Sequence, residues 1–235
     1  MLDKFTLYDF IAVIIPGLFL LWALEVILKF HSLERSIPLP TSIEEFSFVL
    51  VVGYVTGTLL QGISQQMTEK ILRRSWNGYP SARWLLPTDT RLSRAYKHEL
   101  ALAIRKTFGA ALAEDAGGKE SNEALLKRNH ELFYLCRRSS EKLSELPQTF
   151  LAQYAFLRSL LTTFALLAAV ATITLVAAVL AHPAIVVQRF VLWALLVAGN
   201  VLIYFQLKQR DEDFVQSVYD LFLVNFGKRE GGQFF

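Results

Sequence analysis

Four apolar stretches, each long enough to cross a bilayer, constrain this chain more than any other feature: Phe10–Leu28, Phe46–Ser64, Leu160–Ala181 and Phe190–Leu207. Crossing about 30 Å of hydrocarbon takes about 20 apolar residues in a helix. Inside lipid no water is at hand to bond stray N–H and C=O groups, so a lone segment must close its own backbone hydrogen bonds by coiling into a helix. The second and third stretches carry no charge; the first holds one acid, Glu25, and the fourth holds Asn200 but no charge. The chain therefore reads as an all-α membrane protein built on a four-helix transmembrane bundle.

Hydrophobic residues make up 53% of the chain, only slightly above the share in soluble domains. The excess is small because a polar region from about Gln65 to Arg158 dilutes the spans, and that region is long enough for one small domain. The expected organisation is a first transmembrane pair in residues 1–64 and a helical cytoplasmic domain in 65–158. A second pair follows in 159–207, then a cytoplasmic amphipathic helix and tail in 208–235. The opening MLDKFTLYDF sets Lys4 against Asp3 and Asp9, with no small-x-small cleavage pattern after the apolar run, so the first span reads as a retained signal anchor.

Lysine and arginine set the expected orientation. Of the 24 basic residues, 16 fall between the second and third stretches, whereas the first loop has only Lys29 and Arg35 and the short link HPAIVVQR has Arg189 alone. With four crossings, the N-terminus, the middle region and the C-terminus share one side, expected to be the cytoplasmic face of a bacterial inner membrane. The net charge of +3 then reflects topology, and nucleic acid is not an expected partner.

Within the spans, Pro16-Gly17 predicts a kink or hinge, because proline removes a backbone donor and clashes with the preceding turn. Gly53 and Gly57 form a GxxxG, whose glycines share one face and allow close helix packing. Glu25, Thr56, Gln61 and Asn200 are the polar side chains that could line a pathway. Glu25 also stands four residues before Lys29, in the favourable order for a helical ion pair.

The second helix is expected to run on through QQMTEKILRR to about Arg74, and Asn77-Gly78-Tyr79-Pro80 signals a turn. Trp84, Leu85 and Leu86 should dock on a core. A helix from Thr90 to Leu112 is predicted by Leu92, Tyr96, Leu100, Ile104 and Phe108 at four-residue spacing. Ser121 is a candidate cap for the next helix, whose apolar face holds Leu125, Leu126, Leu132, Phe133, Cys136 and Leu143. After a break or kink at Pro147, a single helix of about 34 residues, about 51 Å long, reaches Ala181. The fourth span continues past Lys208 as an amphipathic helix to about Asn225. No segment alternates at period two, so no sheet is expected.

The chemistry-bearing residues are sparse. Cys136 is the one cysteine, without a CxxC or Cys/His spacing, and reads as a small buried hydrophobe. The repeat His98-Glu-Leu-x4-Arg105-Lys106 and His130-Glu-Leu-x4-Arg137-Arg138 lacks the HExxH spacing that aims two ligands at one metal. Neither metal nor cofactor is expected, and no catalytic constellation marks an enzyme. The basic pairs Arg73-Arg74, Arg105-Lys106, Lys127-Arg128 and Arg137-Arg138 are candidate contacts for lipid headgroups or an anionic partner, with no glycine-rich phosphate loop beside them.

Three short segments, Tyr8-Asp-Phe-x5-Pro16-Gly17, Gln153-Tyr-x-Phe-x-Arg158-x-Leu160 and Val218-Tyr-x2-Phe222, resemble uncharacterised bacterial four-span membrane proteins. Some of those are similar to membrane subunits of anti-phage defence systems, such as the Kiwa-type membrane subunit. The resemblance covers the ends and span boundaries, leaves the middle region unmatched, and carries over no functional residue. It implies a non-enzymatic, homo-oligomeric sensor or effector that couples a cytoplasmic helical domain, and a protein partner there, to the bundle. An ion channel or small transporter, and a passive scaffold recruiting a cytoplasmic enzyme, are the alternatives.

Overall fold

The computed structural model describes residues 10–30, 42–68, 70, 78–110, 112, 122–141, 146–181 and 185–227. Among these the chain is all-α, with no strand. A π-helical turn, Phe10–Ile14, leads into α1 (Ile15–Phe30). Then come α2 (Ile43–Met67), the short α3 (Pro80–Arg83), α4 (Arg94–Phe108), α5 (Asn122–Glu141), α6 (Leu146–Ala181) and α7 (Val186–Phe222). A second π-helical turn, Leu223–Gly227, closes the described chain.

Local chemistry sets these ends. Ser42 and Glu45 form a capping box: the Ser42 hydroxyl accepts from the Glu45 N–H at 3.1 Å, and the Ser42 N–H donates to the Glu45 carboxylate at 3.3 Å. The predicted Thr90–Leu112 helix is shorter at both ends. Ser93 caps it by accepting from the Tyr96 N–H at 3.1 Å, and Gly109 stops it at φ +67°, a left-handed conformation that suits glycine. Pro147 falls in the first turn of α6, where a missing N–H costs no helical bond, so it starts that helix. Arg73, Arg74, Ser121 and Leu143 lie outside the described residues, as does the expected extension of α2 to Arg74.

The chain divides into two compact units. The first comprises residues 1–70 and 152–209, the second 71–151 and 210–235. Thus α6 and α7 contribute residues to both units, and the C-terminal segment from Arg210 belongs with the middle region.

The first unit exposes large apolar side chains: Phe48, Leu59, Ile173, Leu180, Val187, Leu195 and Leu202 are each 65–82% exposed. A surface of that kind belongs in lipid. Three helices, over Glu45–Met67, Thr149–Leu180 and Val186–Gly227, are long and apolar enough to cross a membrane. The chain is therefore a membrane protein. In the remaining expected span lies a shorter apolar helix, Ala12–Ile27. Its inner face, Leu20, Ala23 and Ile27, packs with Leu60 of α2 and Leu167 of α6.

The second unit has a conventional buried core. Leu100, Ala103 and Ile104 of α4 meet Leu132, Phe133 and Cys136 of α5. Phe214, Val215, Val218, Tyr219 and Phe222 of α7 complete it, at the spacing of one helical face. Trp84 and Leu85 dock into this core, and Leu86 stays half-buried.

Candidate functional site: polar links among the apolar helices

The antiparallel crossing of α1 and α2 is made of glycine. A Cβ added at Gly17 would overlap the Gly53 carbonyl oxygen and lie 2.7 Å from the Gly57 nitrogen; one added at Gly57 would overlap the Val13 carbonyl. The backbones therefore touch directly, which small residues permit between helices in lipid. At Gly53 the neighbour is softer, the Leu18 side chain at 2.5 Å. Gly17, expected to permit bending, is thus also the third small residue of this crossing.

Pro16 is the second residue of α1, one position after the π-helical turn ends. In α-helical register, residue 16 would donate to the carbonyl of Ala12, and proline has no N–H to give. The Gln61 side-chain amide donates to that carbonyl from α2, at 3.2 Å. Gln61, a candidate pathway residue in the sequence, therefore has its amide turned to the backbone of the adjoining helix.

Further links run along the same unit. Asn200 Nδ2 of α7 donates to the Leu161 carbonyl of α6 at 3.2 Å, and Trp193 Nε1 donates to Thr172 Oγ1 at 3.0 Å. Arg189 Nη1 donates to the Thr174 carbonyl at 2.6 Å. Thr162 Oγ1 lies 3.9 Å from the Met67 sulfur and also donates to the Arg158 carbonyl. Ser64, Thr68, Ser159, Thr162 and Thr163 are buried, and Ser64, Thr68 and Thr163 turn their hydroxyls back onto carbonyls of their own helices. Hydroxyls that bond their own helix can sit in lipid-facing bundles without a wet cavity. The sequence reading passed over Ser159, Thr162 and Thr163, although three hydroxyl residues within five positions of an apolar run were the available signal.

The four candidate pathway residues are not gathered. Gln61 pairs with Ala12 of the π-helical turn, whereas Glu25 stands 13 positions beyond it, about 20 Å along the helix, and is half-buried. Thr56 is half-buried on α2, and Asn200 is engaged with α6. Among the basic pairs, Arg105, Lys106, Lys127 and Arg138 are exposed, and Arg128 is half-buried. Arg137 is held by Glu141 at 2.6 Å and lies 5.5 Å from the centroid of the Phe214 ring.

The second unit carries a buried polar clamp that the sequence reading missed. Lys97 is buried, and its Nζ donates to the carbonyls of Leu86 (2.5 Å) and Asp89 (2.6 Å). Asn129 Nδ2 donates to the Ala82 carbonyl at 3.0 Å, and the Tyr219 hydroxyl to the Ser81 carbonyl at 2.7 Å. His130 lies 3.1 Å from the Ser81 hydroxyl, with the Tyr79 ring 4.5 Å away. His98 is exposed on α4, and no group of three metal-ligating side chains occurs among the described residues. Burial pushes the Cys136 thiol up to about 12 and holds it protonated. Burial, helped by the 2.7 Å hydrogen bond to Asp220, raises the Tyr96 hydroxyl further.

No family model, curated protein or solved structure matches this chain.

Proposed function

We propose that the chain is an oligomeric, four-span protein of the bacterial inner membrane, a non-enzymatic sensor and effector in stress or phage defence. The N-terminal segment, the middle helices and the C-terminal helix lie on the cytoplasmic side, where a protein partner is sensed. Phe10–Phe30 serves as the fourth crossing, since the π-helical turn and α1 together reach about 30 Å.

The observation that carries this reading is helical continuity. Both α6 and α7 supply residues to the apolar unit and to the polar unit without a break in the helix. A change in the polar unit is then passed to the bundle along two unbroken helices. The defence role follows from the sequence resemblance at Pro16-Gly17, Arg158 and Val218-Tyr219.

The test is expression in a bacterium challenged with phage, with plating efficiency and a membrane-potential dye as readouts. Protection together with depolarisation on infection is expected. Unchanged plating and unchanged potential would count against the effector role. Reporter fusions check topology: a fluorescent protein at the C-terminus should glow, and alkaline phosphatase inserted between α6 and α7 should be active.

A further inference from the structure

Arg158 is the only charged residue of α6, and it stands where the long apolar run begins. Its guanidinium carbon lies 5.8 Å from the centroid of the Tyr154 ring, one turn earlier. The residue is partly exposed, yet its Nε is enclosed and has no hydrogen-bond partner among the described residues. The hydroxyl of Ser159, fully buried beside it, likewise has no partner among the described residues. Buried polar groups nearly always find a partner, and a partly buried cation without an anion is costly.

The neighbouring helices bring more positive charge to this level. The contact of Thr162 with Met67 fixes α6 against α2; Arg158 is one turn before Thr162, and the exposed Lys70 is three residues beyond Met67. The Asn200–Leu161 hydrogen bond fixes α7 in the opposite direction, so Lys208, two turns beyond Asn200, reaches the same end. Of this unit's carboxylates, Glu25, Glu44 and Glu45 belong to the opposite end of the α1–α2 pair, and Asp3, Asp9, Glu34 and Glu69 lie outside the described residues; Asp211, three residues beyond Lys208 on α7, is buried. Three cations thus stand where the apolar segments end, which in a bilayer is the phosphate level.

We propose that Arg158, flanked by Lys70 and Lys208, binds the phosphate of an anionic phospholipid. The site goes beyond the function proposed above and rests only on its membrane placement. Arg158 supplies the planar donor set suited to phosphate, stacked and held by Tyr154, while the lysines supply point charge.

Thermal unfolding of the full chain in a mild non-ionic detergent, titrated with phosphatidylglycerol or phosphatidylcholine, tests this. Phosphatidylglycerol is expected to raise the midpoint saturably and phosphatidylcholine not to. Arg158→Gln should weaken half-saturation at least about fivefold, and Lys70→Gln less than that, as expected for one basic residue near an anionic surface. Arg158→Lys should keep part of the effect, and should it alone shift nothing, the bidentate role fails. Equal stabilisation by both lipids, or an unshifted Arg158→Gln titration, overturns the site. Inorganic phosphate matching phosphatidylglycerol at equal concentration overturns the lipid assignment. If Arg158→Gln does not fold, Lys70→Gln and Arg158→Lys carry the test, and no shift in either overturns the proposal. A protein that needs detergent but shows no lipid preference sinks the site alone. One that stays folded and soluble without detergent sinks the membrane placement with it.

Discussion

The Gln61 side-chain amide donates to the Ala12 carbonyl, at 3.2 Å, four residues before Pro16. A proline that removes a donor in one helix and a glutamine that supplies one from the next act as a pair. Gln61→Leu should cost roughly 0.5–2 kcal/mol of stability in detergent, the range for hydrogen bonds between membrane helices. In a Pro16→Ala background, where residue 16 regains its N–H, the same substitution should cost less. A double-mutant cycle by chemical denaturation measures the coupling, and additive effects would show that the two residues act independently.

The glycines differ in what surrounds them. Gly57→Ala drives a methyl into the Val13 carbonyl and should destabilise by about 1–3 kcal/mol. Gly62→Ala, on the same helix with nothing within 4 Å, should be neutral or stabilise by up to about 1 kcal/mol. Gly53→Ala should fall between them, since the Leu18 side chain can move. Melting temperatures of the three variants give the order.

Asn200 bonds the Leu161 carbonyl, so its expected role is to tie α7 to α6. Asn200→Leu should lower stability by about 0.6 kcal/mol and leave vesicle permeability to small ions unchanged. A large change in ion flux at unchanged stability would favour the channel reading instead.

The second unit should weaken in alkali. An unfolded Cys136 thiol ionises near 9.0, whereas burial pushes the folded thiol up to about 12. Below pH 9 both states hold the proton and stability is intact. Between about 9 and 12 only the unfolded chain releases it, so stability falls by up to about 1.4 kcal/mol per pH unit from this group. Tyr96, also raised by burial, adds to the loss above about pH 10. Denaturant titrations at several pH values should show the decline, with a shallower slope in Cys136→Ala. The native thiol should react with a thiol reagent only on unfolding, because Cys136 is fully buried.

Lys97 secures the chain between α3 and α4 through the Leu86 and Asp89 carbonyls. Lys97→Met keeps the aliphatic bulk but leaves both carbonyls without this donor, and should cost about 2–3 kcal/mol. Hydrogen exchange should show early opening of residues 84–92.

The apolar stretches, the helical class and the stripe Leu100–Ile104 were legible because each depends on local sequence, hydrophobic content and a 3.6-residue period, whereas the caps Ser93 and Gly109 that end α4 inside the expected Thr90–Leu112 were not read. The clamp was not. Lys97 and Asn129 look like solvated helix residues until the Pro80–Asp89 segment folds over them and offers carbonyls. Likewise, Gly53 and Gly57 announced a close contact, but the contact surface, Val13 of the π-helical turn and Gly17 of α1, depends on which helix arrives there.

By itself, then, the sequence determined that the chain is helical and where it is apolar. Those properties follow from each segment's own backbone and side chains. Tertiary structure alone decided that Gln61 bonds the Ala12 carbonyl, that Asn200 faces α6, and that Arg158 keeps an enclosed nitrogen without a partner among the described residues. A polar side chain in an apolar helix takes its meaning from the donor, acceptor or charge that another helix sets beside it.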